Sequence, residues 1–168
     1  MKRFTMWVDK HLEEGLLFIL FVTAVISIAL QVFSRFILDS SLSWSEELAR
    51  YTFIWLIYIA VPYGIKKHRH ITLDIIYDIV PPKIKKFMDF ISTVIVACFA
   101  ILMLYYGSIV VSMISQFGQQ SSAMEINMVY VYAAVPVGMF LTAVRSIQNI
   151  TFLIRNWNMR KEEEDLTS

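Results

Sequence analysis

"GLLFILFVTAVISIALQVFS", residues 15–34, carries no charged side chain in 20 positions. At about 1.5 Å of rise per residue, such a run spans roughly 30 Å, the thickness of a bilayer's hydrocarbon core. The stretch therefore reads as a membrane-spanning helix, bounded by Glu14 on one side and Arg35 on the other. It is too long for the apolar region of a signal peptide, and "QVFSRFIL" (31–38) offers no small-x-small cleavage site.

Working outward, the same pattern recurs. The chain has 168 residues, 57% of them apolar, and its charges are clustered rather than spread, which is the composition of a membrane protein. Further uncharged runs lie at 51–65, 90–124 and 126–144. The second of these is long enough for a span plus an outer loop, "SQFGQQSSAMEIN" (115–127), whose Gly118 and Ser/Gln content mark a turn. The last carries Pro136 near its middle, where a kink is expected. The fold class that follows is an all-α membrane protein. Four transmembrane helices are expected over about 14–38, 43–66, 86–115 and 126–155, in a single integral domain with a charged tail at 156–168. Continuous apolar runs without period-two alternation exclude an outer-membrane barrel.

Orientation follows from the basic residues. Three precede helix 1, two lie between helices 1 and 2, six between helices 2 and 3, none between helices 3 and 4, and four from Arg145 onward. Thirteen of fifteen thus fall on one side, so both termini and the "KKHRH" loop (66–70) are expected in the cytoplasm. In "HITLDIIYDIVPPKIKK" (70–86), Thr72, Ile75, Ile76 and Ile79 recur at helical spacing. Asp74 and Asp78 fall opposite them, and Pro81-Pro82 ends the segment. A short amphipathic helix beginning near His70 and lying in the cytoplasmic interface fits this pattern. A plain connector with chance periodicity is the alternative.

Helix 2 needs a charged beginning. Tyr51 to Ile65 gives only about 22 Å of helix, so the helix has to start within "SWSEELARYTFIW" (43–55). Ser43 and Glu46 have capping-box spacing, and both Glu46 and Glu47 suit the positive end of the helix dipole. Either can also reach Arg50, four or three residues on. Charges at the bilayer centre cost about 2.5–3.5 kcal/mol each on insertion scales, so this group belongs at the outer interface. Trp44, Tyr51 and Trp55 are amphipathic anchors suited to that level. Helix 1 reaches the same level with Arg35, at the end of a ridge in which Thr23, Ser27, Gln31 and Arg35 recur every four residues. The ridge should face protein, and Arg35 is expected to pair with Glu46 or Glu47 to close the hairpin of helices 1 and 2. A contact with another membrane subunit is the functional alternative for the same groups.

Several chemistries lack their residues. No Asp, Glu, Lys, Arg or His falls at mid-depth in any predicted span. An autonomous pump or channel is thereby disfavoured, and so is a small multidrug exporter with its intramembrane carboxylate. His11, His68 and His70 are all on the cytoplasmic side, so no bis-histidine haem site or metal site is expected. Cys98 is the single cysteine, which rules out an internal disulfide. No basic, aromatic-interleaved face points to nucleic acid.

Taken in order, "QVFSRFIL", "SWSEELARYTFIW", "KKHRHITLDIIYDIVPPKIKKFMDF" (66–90) and "YAAVPVGMFLTAVRSI" (132–147) are similar to a known family. They resemble the small membrane subunit, the DctQ-like proteins, of tripartite ATP-independent periplasmic (TRAP) transporters, those of the sialic acid type among them. The resemblance covers about residues 10–150 and is most specific in the W-S-E-E-x-A-R-Y run. It implies a non-enzymatic accessory subunit in the bacterial inner membrane. Its partners are then the lipid bilayer, a large multispanning subunit and a periplasmic binding protein that delivers a dicarboxylate, sialic acid or similar carboxylate. No cofactor is implied for this chain, and sodium coupling is expected in the large subunit. Carried onto the sequence, the family pattern places Arg35, Trp44, Glu46, Glu47, Arg50 and Tyr51 at the periplasmic clasp and partner interface. His70, Asp74 and Asp78 match the inner-loop pattern, and Pro136 the proline of the last helix. An independent homo-oligomeric transporter and a membrane anchor of a respiratory enzyme are the rival readings.

Overall fold

The computed structural model describes residues 2–40, 42–66 and 82–166. It is all-helical: α1 (Lys2–Ile37), α2 (Ser43–Lys66), α3 (Pro82–Phe117), the single turn α4 (Val129–Tyr132) and α5 (Ala134–Leu166). Four stretches are long and apolar enough to cross a membrane, namely Glu13–Ile37, Ser43–Ile65, Phe87–Phe117 and Val129–Ile154. The helices outrun the expected spans. The first extends back to Lys2 and the last runs on through "RKEEEDL", where strong helix formers continue the pattern. The expected interfacial helix, with His70, Asp74 and Asp78, lies outside the described residues.

The main contacts join α1 to α2, α2 to α5, and α5 to α3. The four spans thus stand in the order α1, α2, α5, α3, with α2 and α5 inside and α1 and α3 on the flanks. Two loops, at 38–42 and 118–128, lie at one end, here called the loop end.

Small residues make the seams. Ala100 of α3 packs with Met139 and Ala143 of α5, and Ala24 and Ser27 of α1 and Ala49 and Ser45 of α2 are buried. In a bilayer, large apolar side chains gain nothing by leaving lipid for protein, so helices associate where small side chains let backbones approach. Phe18, Phe21, Ile26 and Phe36 of α1 accordingly point outward.

Two prolines shape the central pair. Pro62 lies inside α2, and its missing amide frees the carbonyl of Tyr58, four residues back. Gly138 of α5 fits against that carbonyl. A methyl group on Gly138 would stand 2.5 Å from Tyr58 O and 2.7 Å from Tyr58 Cβ. Near Pro136, where a kink is expected, the helix is interrupted at Ala133, which separates α4 from α5 while keeping helical dihedrals (φ −61, ψ −18). Pro136 itself sits in the first turn of α5, where an amide has no helical partner to lose.

Candidate functional site

At the loop end, the start of α2 carries Glu46 in its first turn and Glu47 just beyond it, and the two carboxylates do different things. Glu46 accepts from Arg50 Nη2 at 2.8 Å, with both side chains about three-fifths exposed. Glu47 reaches across to the loop between α3 and α4. There its Oε2 accepts from Ser121 Oγ (2.8 Å) and the Met124 amide (3.1 Å). Its Oε1 accepts from the Ser122 amide and hydroxyl and from the Ala123 amide, each at 3.1 Å. Five donors therefore converge on one carboxylate.

The loop is built to present them. Gly118 at φ +60 starts the turn, Ser121 N donates to Ile126 O, and Met128 N donates to Gln119 O. Asn127 Oδ1 then accepts from the Val129 amide and leads into α4. Glu125, at the tip, takes the left-handed conformation (φ 54). Consecutive amides at 122–124 are thereby turned to one side, forming a concave anion site from the backbone.

The expected pairing of Arg35 with Glu46 or Glu47 is not formed. Arg35 is exposed and makes no hydrogen bond or ion pair. The reason is helical phase: Ala24, Ser27, Gln31 and Ser34 share the face of α1 turned to α2, and Arg35 lies about 100° beyond Ser34. The hairpin is closed instead by Ser45 Oγ donating to Gln31 Oε1 at 2.6 Å, with Ser45 fully buried. Ser34 Oγ donates to Ser40 O at 2.7 Å, and Asp39 (φ 45) turns the chain. Of the expected ridge, Ser27 is buried, Gln31 half-buried, and Thr23 donates to Ile19 O of its own helix. The capping box is not formed either. Ser43 is already the first helical residue, and Glu46 is engaged by Arg50.

Trp44 is exposed at this level. Tyr51 is half-buried, its hydroxyl 3.6 Å from Met128 Sδ, and Trp55 Nε1 donates to Tyr130 O at 3.1 Å. Arg50, Tyr51, Tyr58, Gln119 and Gln120 line an open cleft of about 510 Å³ between α2 and the loop.

A second polar group, missed in the sequence, fastens the opposite end. Arg145 of α5 donates through Nη2 to Glu13 of α1 at 2.6 Å, with side chains only 15% and 20% exposed. Tyr63 donates to Glu14 Oε1 at 2.8 Å. The signal was an arginine within the last apolar run, at the depth where helix 1 presents two glutamates. Among the described residues, no group of three or more His, Cys, Asp or Glu side chains could hold a metal ion.

These features define a multi-pass membrane protein whose charged groups fasten its own helices and loops together. Residues 24–156 match the family described as "Tripartite ATP-independent periplasmic transporters, DctQ component", and the chain belongs to that family. It is a subunit of a transporter permease and not an enzyme, and it is a multi-pass protein of the bacterial inner membrane. The chain is 29% identical over 155 residues to the isethionate TRAP transporter permease protein DctMQ of Oleidesulfovibrio alaskensis, covering 89% of this chain and 24% of that protein. It is 30% identical over 144 residues to the sialic acid TRAP transporter permease protein SiaT of Haemophilus influenzae, covering 83% and 22%. It is 24% identical over 124 residues to the ectoine TRAP transporter small permease protein TeaB of Halomonas elongata, covering 71% and 64%. The chain thus spans about a quarter of the length of the first two relatives.

Proposed function

We propose that this chain is the small accessory subunit of a sodium-coupled TRAP transporter that imports an organic acid captured by a periplasmic binding protein. It packs against the large membrane subunit and stabilises it, and the sodium and substrate sites reside in that subunit. This chain itself carries no cofactor. The loop end faces the periplasm and both termini face the cytoplasm, as the distribution of Lys and Arg favours.

One observation carries the reading. Glu46, Glu47 and Arg50 are engaged at the loop end and Glu13 and Arg145 at the other, and between these levels the described helices hold no Asp, Glu, Lys, Arg or His. A translocation path for an anion and sodium requires polar or interrupted structure near mid-depth. The names of the relatives agree with selectivity lying elsewhere, since proteins named for isethionate, sialic acid and ectoine all match this chain.

Expressed with its neighbouring transporter genes, the tagged chain should recover a larger multispanning protein. Uptake of the organic acid should need sodium, the large subunit and the binding protein as well as this chain. Transport by this chain reconstituted alone in liposomes overturns the reading.

A further inference from the structure

The seam between α3 and α5 closes over polar atoms. The two helices run antiparallel, since residue numbers on one fall as those on the other rise. Gly107 faces Val135, Ala100 packs with Ala143, and Asn149 Nδ2 donates to Thr93 Oγ1 at 3.4 Å. That register sets Ser146 level with Ala97, between the last two pairs. Thr93, Ala97, Ser146 and Asn149 are all buried, Ser146 at 0% and Asn149 at 7% exposure.

Among the described residues, two buried side-chain polar atoms have no hydrogen-bond partner, Ser146 Oγ and Asn149 Oδ1. Neighbouring hydroxyls of the same two helices are satisfied locally. Thr93 and Thr142 each donate to the carbonyl four residues back in their own helix. Asn149 is held through Nδ2, which leaves Oδ1 as the acceptor end of its amide. Ala97, level with Ser146, offers only a methyl group. Buried polar atoms left in this state are costly, and native proteins rarely keep them.

The two atoms define what can join them. Residues three apart on a helix have Cβ atoms about 5–6 Å apart, a gap that one small molecule making two hydrogen bonds of about 2.8 Å can bridge. The serine hydroxyl can donate and the amide oxygen only accepts, so the bridging group has to accept from one and donate to the other. Water does both. A hard cation such as calcium or magnesium takes about six or more oxygens, and two neutral ones fall short. A side chain of another subunit cannot reach atoms this enclosed.

We infer that a single water molecule is bound in the seam between α3 and α5 at the level of Ala97, accepting from Ser146 Oγ and donating to Asn149 Oδ1. Buried water of this kind is part of a fold, making two or more hydrogen bonds to groups the chain does not satisfy itself. By fixing one end of the Asn149 amide, it supports the long contact of the other end with Thr93. It thereby helps to hold α3 to α5 at the end away from the loops.

Thermal unfolding of the full chain in detergent tests this. Ser146→Ala should lower the midpoint by about 2–4 °C. In an Asn149→Ala background the same change should cost less than half as much, because the bridge has already lost its acceptor. An unchanged or raised midpoint for Ser146→Ala is what removal of a bare buried hydroxyl gives, and it overturns the inference. An undiminished loss in the Asn149→Ala background also overturns it, since Ser146 would then be bonding within its own helix, to Thr142 O. A cryo-EM map of the wild-type chain with its transporter partners, fine enough to show ordered solvent, decides the matter if a variant fails to fold. A solvent peak should lie within about 3.2 Å of both Ser146 Oγ and Asn149 Oδ1, and an empty seam overturns the inference. The unfolding experiments use this chain by itself, so they hold whether or not a large partner is recovered.

Discussion

Glu46 and Glu47 are neighbours with the same charge and different fates. Glu46 and Arg50 form an exposed pair one turn apart, a geometry worth about 0.3–0.5 kcal/mol. Glu47 fixes a loop more than 70 residues away by accepting five hydrogen bonds, three of them from backbone amides. Glu47→Ala should therefore release the 121–124 amides, raising their hydrogen-exchange rates on the order of tenfold in lipid nanodiscs. Glu47→Gln should do so less, since one carboxamide oxygen still accepts. Arg50→Ala should leave those amides near the wild-type rate, and equal effects of Glu47→Ala and Arg50→Ala would contradict the division of labour. Under the accessory-subunit proposal, Glu47→Ala should also reduce complex recovery and uptake together. A second residue-scale case is Gly138, whose missing Cβ makes room for the Tyr58 carbonyl freed by Pro62. Gly138→Ala should destabilise the protein by about 1–3 kcal/mol through overpacking, read as a lowered unfolding midpoint in detergent. Gly107→Ala should cost less, because its nearest neighbour is the Val135 side chain at 3.0 Å, which can give way where a carbonyl cannot.

At the scale of helices, each seam combines small residues with one or two polar fasteners. The pair between Arg145 and Glu13 links α5 to α1, helices whose main contacts run through α2 between them. A double-mutant cycle with Glu13→Gln and Arg145→Gln should show a coupling of about 0.5–3 kcal/mol in unfolding experiments, and additive effects would mean that the pair ties nothing. The four spans themselves were plain in the sequence, because twenty uncharged residues in a row have few other uses. That α2 has to begin before Tyr51 was also legible from length alone. Partners were not. Apolar runs say that a helix crosses but leave open which neighbour it meets, so the order α1, α2, α5, α3 could not be read. Arg35 shows the limit most clearly. Its spacing from Thr23, Ser27 and Gln31 is regular at every fourth residue, yet the buried face of α1 steps by three as well as four and ends at Ser34. Glu47 was picked out as an interfacial group, but its ligands are mostly backbone amides of a distant loop, which carry no side-chain signature.

At the scale of the whole molecule, charge position and fastening can be separated by experiment. Lys and Arg number twelve of fifteen before the first span, between the second and third spans, and beyond Arg145, whereas the described loop end carries Arg35 and Arg50. Arg145 is the fifteenth and a special case, since its charge is met by Glu13 at 2.6 Å. If the positive-inside bias sets the orientation, the 118–128 loop lies in the periplasm. In a Cys98→Ala background, Glu125→Cys should then react with a membrane-impermeant maleimide in intact spheroplasts, because Glu125 is exposed at the loop tip. A cysteine in the C-terminal segment, such as Arg160→Cys, should react only after the membrane is opened. The reverse pattern would invert the molecule and place the Glu47 clasp in the cytoplasm, out of reach of any periplasmic binding protein. Adding the Arg145→Gln change should leave the labelling pattern as it was, since twelve further basic residues still hold that side. A loss of folded protein without inversion would assign Arg145 to fastening α1 and α5 rather than to orientation.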